Sequence, residues 1–210
     1  MRFAPPGFVS SLGSMVIGLT GGIGCGKSAA AACFVELGFV HVDADALAHQ
    51  ALRRPEVVEA LKARWGEACL APDGTPLRSW IAEKAFGDRA ELEFLESLVH
   101  PIVAELRGAA MSDGSKSYVV EIPLLFEKRL EAGFDCVVCV ACSDSVRMRR
   151  LQDRGLSAAE SKRRIKSQMP MGQKVKLSDH VIWNDGDRTF LRGQVDRLVA
   201  ELVSGRGASR

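Results

Sequence analysis

No apolar run in this chain of 210 residues approaches the ~20 needed to cross a bilayer, so we expect a soluble, cytoplasmic protein without a membrane partner. Charge of one sign is missing too. Lys and Arg number 28 against 26 Asp and Glu, and a net charge of +2 lends no support to a nucleic-acid partner. Residues 1–14 lack a signal-like apolar core, because Pro5-Pro6-Gly7 interrupts it. A disordered extension is expected there, with Met15 as an alternative start. What is present, 47% hydrophobic and 26% charged residues, suits one globular domain over residues 15–205, monomeric or weakly homo-oligomeric.

The six cysteines lack a convergent arrangement. Cys136, Cys139 and Cys142 have C-x-x-C-x-x-C spacing, which resembles the start of an iron–sulfur ligand run. They lie, however, in the β-branched stretch 135–142, where strand alternation turns Cys139 away from the other two. Buried free thiols in a reducing compartment are the expectation.

The sequence's main positive signal is Gly21-Gly22-Ile23-Gly24-Cys25-Gly26-Lys27-Ser28, which fits G-x-x-x-x-G-K-[ST] at every fixed position. Met15 to Thr20 reads as a buried strand before it and residues 28–37 as a helix after it. The glycines let backbone N–H groups turn inward onto phosphate oxygens. Lys27 would reach the β- and γ-phosphates, the Ser28 hydroxyl would ligate Mg²⁺, and the helix N-terminus adds partial positive charge. Gly22, Ile23, Gly24, Cys25, Gly26 and Ala29 would contribute backbone. The guanine-reading N-K-x-D element of GTP switches is absent, the only downstream asparagine being Asn184. A nucleotide-binding enzyme is thus favoured over a switch.

A second strand, Phe39 to Asp43, follows Gly38. Helical patterns then cover 46–52, 56–65, 80–86 and 89–111, interrupted by the turn composition of Ala71-Pro72-Asp73-Gly74-Thr75-Pro76. Strands at 118–122, 135–142 and 180–183 alternate with helices around 126–131, 143–154, 163–168 and 189–203. The fold class expected is α/β: a P-loop NTPase fold with a five-stranded parallel sheet flanked by helices. Its core would be 15–45 and 113–205, with a helical acceptor-binding insertion over about 46–112 and a lid over about 145–178.

Ligands of open parallel sheets sit beyond the carboxyl ends of the strands. Thr20, Asp43 with Asp45, and Glu121 with Pro123 lie there. One aspartate could serve as general base on a hydroxyl acceptor, while Asp45 reads equally well as an N-cap for the helix at Ala46. Glu121 is either a metal-site acid or a solvated strand end. Arg147, Arg149, Arg150, Arg154, Arg163 and Arg164 could arm a lid over a triphosphate, although a solvated basic face explains several of them.

These residues together resemble the dephospho-coenzyme A kinases, over roughly residues 15–203. Gly18 to Ser28 carries the likeness, with Val42-Asp43-Ala44-Asp45 and Ala48, His100-Pro101, Ile122-Pro123-Leu124-Leu125-Phe126-Glu127, and Val181-Ile182 with Asn184 and Gly186. The resemblance implies transfer of the γ-phosphoryl of ATP, with Mg²⁺, to the ribose 3′-hydroxyl of dephospho-coenzyme A. Lys27, Asp43, Asp45 and Arg150 would be catalytic, and residues 22–29 with Arg154 would bind ATP. Ser28 and Glu121 would hold the metal. Thr20, Asp43, Asp45, His100, Pro101, Pro123, Leu124 and Leu125 would bind the acceptor, and Gln168 would belong to the lid. His100 reads equally as a helix-packing histidine. A nucleoside or nucleoside monophosphate kinase shares these parts and is the alternative. Three departures stand out: Ala29 for a second hydroxyl residue, Glu121 for Asp, and Met171 where the family tends to carry arginine. The last implies that a lid contact to phosphate is lost or comes from Lys174.

Overall fold

A computed structural model describes residues 14–207. The expected extension lies, apart from Ser14, outside the described residues. The chain divides into two compact units, one formed by the residues up to Val42 with those from Asp113 onward, the other by Asp43–Ser112.

In the first unit, strands β1 (Val16–Gly21), β2 (Val40–Asp43), β3 (Tyr118–Glu121), β4 (Cys136–Ala141) and β5 (His180–Trp183) form one sheet in the order β2-β3-β1-β4-β5. The strands run parallel. In register, Leu19 lies opposite Glu121 and Thr20 opposite Cys139. β3 and β4 are buried at every position, as expected for inner strands covered on both faces.

Helix α1 (Lys27–Glu36) links β1 to β2, and the C-terminal helix α9 (Arg188–Gly207) packs beside α1. Phe34, Leu191, Val195 and Val199 form one core with Cys136, Val138, Val140 and Cys142. Cys139 points the other way and meets Met171 at 4.0 Å, so the alternation read from the cysteine spacing is present.

The second unit is helical: α2 (Ala44–Leu52), α3 (Pro55–Trp65), α4 (Arg78–Gly87) and α5 (Arg89–Ala110). Val57, Leu61, Cys69 and Ile81 centre its own core, edged by Trp65, Trp80 and Phe94 in edge-to-face contact.

After β4 come α6 (Asp144–Asp153), α7 (Ala158–Lys166) and α8 (Met171–Leu177). Three expectations need correction. The segment around 126–131 is a run of turns followed by a 3₁₀ turn at Glu131–Gly133, because Arg129 adopts a left-handed φ of 53° that a helix cannot continue through. α7 begins well before residue 163, nucleated by a capping box in which Ser157 and Glu160 exchange hydrogen bonds. α8 was not anticipated: its seven residues carry too little periodicity to register, although Pro170 just before it is a start signal.

Candidate active site

The glycine loop connects β1 to α1, whose N-cap is Gly26. Gly26 has φ 89°, and a Cβ there would lie 2.3 Å from Asn184 Nδ2, so the position requires glycine for both conformation and space. The Asn184 amide is buried and donates to Cys25 O at 2.8 Å, while Arg150 Nη1 reaches the same carbonyl at 3.4 Å. On the other flank of the loop, Arg147 Nε donates to Ile23 O and the Ile23 N–H donates to Gln168 Oε1, both at 2.9 Å. Lys27 Nζ lies 3.3 Å from Gly22 O, folded back over the loop.

Two sulfurs sit beneath this loop. Cys142 Sγ donates toward Cys25 Sγ at 3.5 Å. That hydrogen bond, opposed by burial and aided by the charges of Arg147 and Lys27, brings the Cys25 thiol down to about 7. The same bond, with burial, pushes Cys142 up, and burial raises Cys139 to about 11.

Glu121 ends β3 and is 8% exposed, which sets aside the solvated reading. Its Oε1 accepts from Ser28 Oγ at 3.1 Å, and its Oε2 lies 3.4 Å from His41 Nε2. Two hard oxygens, from the loop hydroxyl and the strand-end carboxylate, thus converge. That donor set suits Mg²⁺, which takes one or two protein oxygens and completes its shell with phosphates and water.

Thr20 is fully buried and its Oγ1 donates to Pro123 O at 3.4 Å. Pro123 and Leu124 are half-buried in the turn after β3, and Leu125 is core. Lys174, the alternative source of a lid contact, is engaged elsewhere. It is 0% exposed, and its Nζ is held by Pro123 O at 2.8 Å and by both carboxylate oxygens of Glu127 at 2.8 and 2.9 Å.

A cavity of about 480 Å³ opens beside the loop, lined by Ala29, Arg150, Arg154, Asn184, Gly186 and Leu191 among others. Of the six arginines, Arg147 is buried and Arg150 half-buried, while Arg149, Arg154, Arg163 and Arg164 are exposed. Exposure alone does not separate a lid arginine from a solvated one, and Arg149, Arg154, Arg163 and Arg164 share it. Neither Arg147, one of six arginines that could arm a lid, nor Asn184, part of the family likeness, was assigned a site role on its own. Asn184 carried a signal, being the only downstream asparagine and lying just past the last strand; for Arg147 there was only its place among the arginines.

The remaining expected residues belong to the second unit. Asp43 is the N-cap of α2: its Oδ1 accepts from Asp45 N at 2.9 Å and Ala46 N at 3.1 Å. The cap is thus Asp43 rather than Asp45, because the helix starts at Ala44, two residues earlier than read. Asp45 occupies the first turn, and both carboxylates are exposed. His100 is exposed on α5 with its Nε2 3.8 Å from Glu96, and Pro101 lies inside that helix. Neither residue is part of the unit's buried core, so the helix-packing reading of His100 finds no burial to support it.

Residues 15–189 match the dephospho-CoA kinase family profile. The chain belongs to that family. A dephospho-CoA kinase from Corynebacterium efficiens is 40% identical over 195 residues, covering 90% of this chain and 97% of that one. Among solved structures, TT1252 from Thermus thermophilus has a TM-score of 0.81 at 36% identity, covering 90% of this chain and 98% of its own. The dephospho-CoA kinase from Campylobacter jejuni has a TM-score of 0.66 at 25% identity, covering 91% and 98%. Dephospho-CoA kinases transfer phosphate to a hydroxyl group, the chemistry for which a glycine loop with a strand-end carboxylate is suited.

Proposed function

We propose that the chain transfers the γ-phosphoryl of ATP to the 3′-hydroxyl of dephospho-CoA, releasing ADP and CoA, in the cytoplasm and as a monomer or weak homo-oligomer. The observation that carries this reading is family membership over residues 15–189. The hydrogen bond between Ser28 and Glu121 supports it, since a hydroxyl and a carboxylate held 3.1 Å apart below a phosphate cradle have a use in phosphoryl transfer.

In this reading the loop N–H groups and the start of α1 hold the β- and γ-phosphates. Lys27 leaves Gly22 O for the phosphates, and Arg150 of α6 and Arg154 at its C-cap close over them. The purine occupies the cavity beside Ala29, Asn184 and Gly186, where the Asn184 amide fixes the loop wall. Ser28 and Glu121 would hold Mg²⁺, which when bound neutralises charge on the β- and γ-oxygens. Pro123, Leu124, His100 and Pro101 bind the acceptor, while Thr20 and Leu125, expected to touch it, are fully buried and support the turn at Pro123 from behind. Asp43 or Asp45 takes the proton of the 3′-hydroxyl as it attacks.

An acceptor panel tests this. Protein supplied with Mg-ATP should form ADP with dephospho-CoA and little with nucleosides or nucleoside monophosphates; the opposite preference refutes the assignment. Asp43→Asn and Asp45→Asn then separate the base from its neighbour. Asparagine caps a helix as well as aspartate does, so loss of transfer in Asp43→Asn would report the carboxylate and not the cap.

A further inference from the structure

Arg147 is the one buried arginine among the described residues, 4% exposed in the first turns of α6. The only hydrogen bond of its side chain among the described residues runs from Nε to Ile23 O, and no carboxylate of those residues pairs with it. A guanidinium stays charged in a protein, and burying an unpaired charge is costly. The fold nevertheless holds this cation against the glycine loop.

Its terminal nitrogens have a definite place. A Cβ built on Gly22 would lie 2.6 Å from Arg147 Nη2 and 2.7 Å from Met171 Cε. Two side chains, one from α6 and one from α8, therefore converge on the same glycine. Met171 brings no charge to that glycine, and Lys174 is enclosed by Glu127 and Pro123 O. The charge of Arg147 also reaches Cys25, inside the loop.

We propose that Arg147 is the second cation of the phosphate cradle: its Nε braces the loop at Ile23, and its terminal nitrogens supply beside Gly22 the positive charge that Met171 cannot. The triphosphate then compensates a buried charge that no carboxylate of the described residues pairs with. This rests on the ATP-binding reading above and adds a residue that neither the motif nor the resemblance assigns.

The experiment compares wild type, Arg147→Gln, Arg147→Lys and the double variant Arg147→Gln/Met171→Arg. ADP affinity is measured by calorimetry, and melting temperature with and without ADP. Arg147→Gln should weaken ADP about tenfold or more, the effect of losing one charge-assisted contact. Arg147→Lys should retain part of the affinity. Arg147→Gln should also shrink the ADP-induced rise in melting temperature, beyond any change that loss of the brace at Ile23 makes to the free protein. The double variant should regain affinity, because an arginine at 171 ends at the same glycine.

Wild-type ADP affinity in Arg147→Gln overturns the inference. So does a lowered free-protein melting temperature with an unchanged ADP increment, the mark of a brace alone, and so does a double variant that regains nothing. Wild type that binds no ADP would instead refute the kinase reading itself.

Discussion

Replacing Lys174 by methionine keeps the length and apolar stem of the side chain but removes an ammonium that is 0% exposed and bonded to three oxygens. The variant leaves Glu127 with only the Met169 N–H, at 2.9 Å, and Pro123 O with only the long contact from Thr20. Breaking a buried ion pair from one side costs about 3–5 kcal/mol. The Glu127 side chain keeps 21% of its exposure, so water recovers part of that loss and the lower end, about 3 kcal/mol, applies. At about 2–4 °C per kcal/mol for a chain of this size, the melting temperature should fall by roughly 6–12 °C. Urea titrations of Lys174→Met, Glu127→Gln and the double variant provide the coupling, and the double should be less destabilised than the sum of the singles by about 1–2 kcal/mol. A pH series adds a second test. Burial alone would raise the Glu127 carboxyl, but the hydrogen bonds from Lys174 and the Met169 N–H outweigh it and hold the group below its ordinary 4.5. A depressed carboxyl contributes stability that is present above the ordinary value and lost as pH falls through the lower folded one. The gap between wild type and Lys174→Met should accordingly be full at neutral pH and close below 4.5. Strict additivity of the two substitutions, or a gap that persists in acid, would refute the clamp.

Three further outcomes are expected. Asn184→Ala removes the buried donor to Cys25 O and opens space beside Gly26; it should cost about 1–2 kcal/mol of stability and weaken Mg-ATP about tenfold by calorimetry. Glu121→Gln keeps a partner for Ser28 but removes the charge, so the Mg²⁺ concentration giving half-maximal transfer should rise several-fold and Mn²⁺ binding followed by paramagnetic resonance should weaken in parallel. Thiolate absorbance should titrate near pH 7 in the wild type and lose that step in Cys25→Ser; because this thiol is depressed from 9.0, its stabilising contribution is full above that value and is lost as pH falls through about 7.

The sheet was legible because each of its strands is a short apolar run bounded by turn residues, and because the glycine loop fixed the order of the first strand and helix. Ser28 and Glu121 were legible as a pair for the same reason: both are strand or loop ends on adjacent strands, and parallel topology brings such ends to one edge of the sheet. What escaped was tertiary. Lys174 reads as a surface cation until α8 folds it under the turn after β3, where Glu127 waits 47 residues away in sequence. Arg147 lies in a run of arginines whose other members are exposed or half-buried, and nothing local marks which one turns inward. The start of α2 was misplaced because Asp43 and Asp45 are both good caps, and the choice depends on where the backbone leaves β2.

The loop is held by long-range contacts more than by its own sequence. Ile23 O receives Arg147, Ile23 N–H reaches Gln168, and Cys25 O receives Asn184 and Arg150; these partners come from α6, the segment before α8 and the end of β5. Gln168 is the instructive member. Its amide oxygen accepts the Ile23 N–H, so a side chain from the segment between α7 and α8 occupies a donor of the kind that glycine loops aim at phosphate. A phosphate oxygen carries more charge than an amide oxygen and makes the stronger hydrogen bond with the same N–H. Nucleotide arrival should therefore displace Gln168 and release the segment it anchors, while the clamp of Lys174 and Glu127 keeps the end of that segment tied to the turn after β3. A pivot at one end and an exchangeable contact at the other is what a lid coupled to phosphate binding requires.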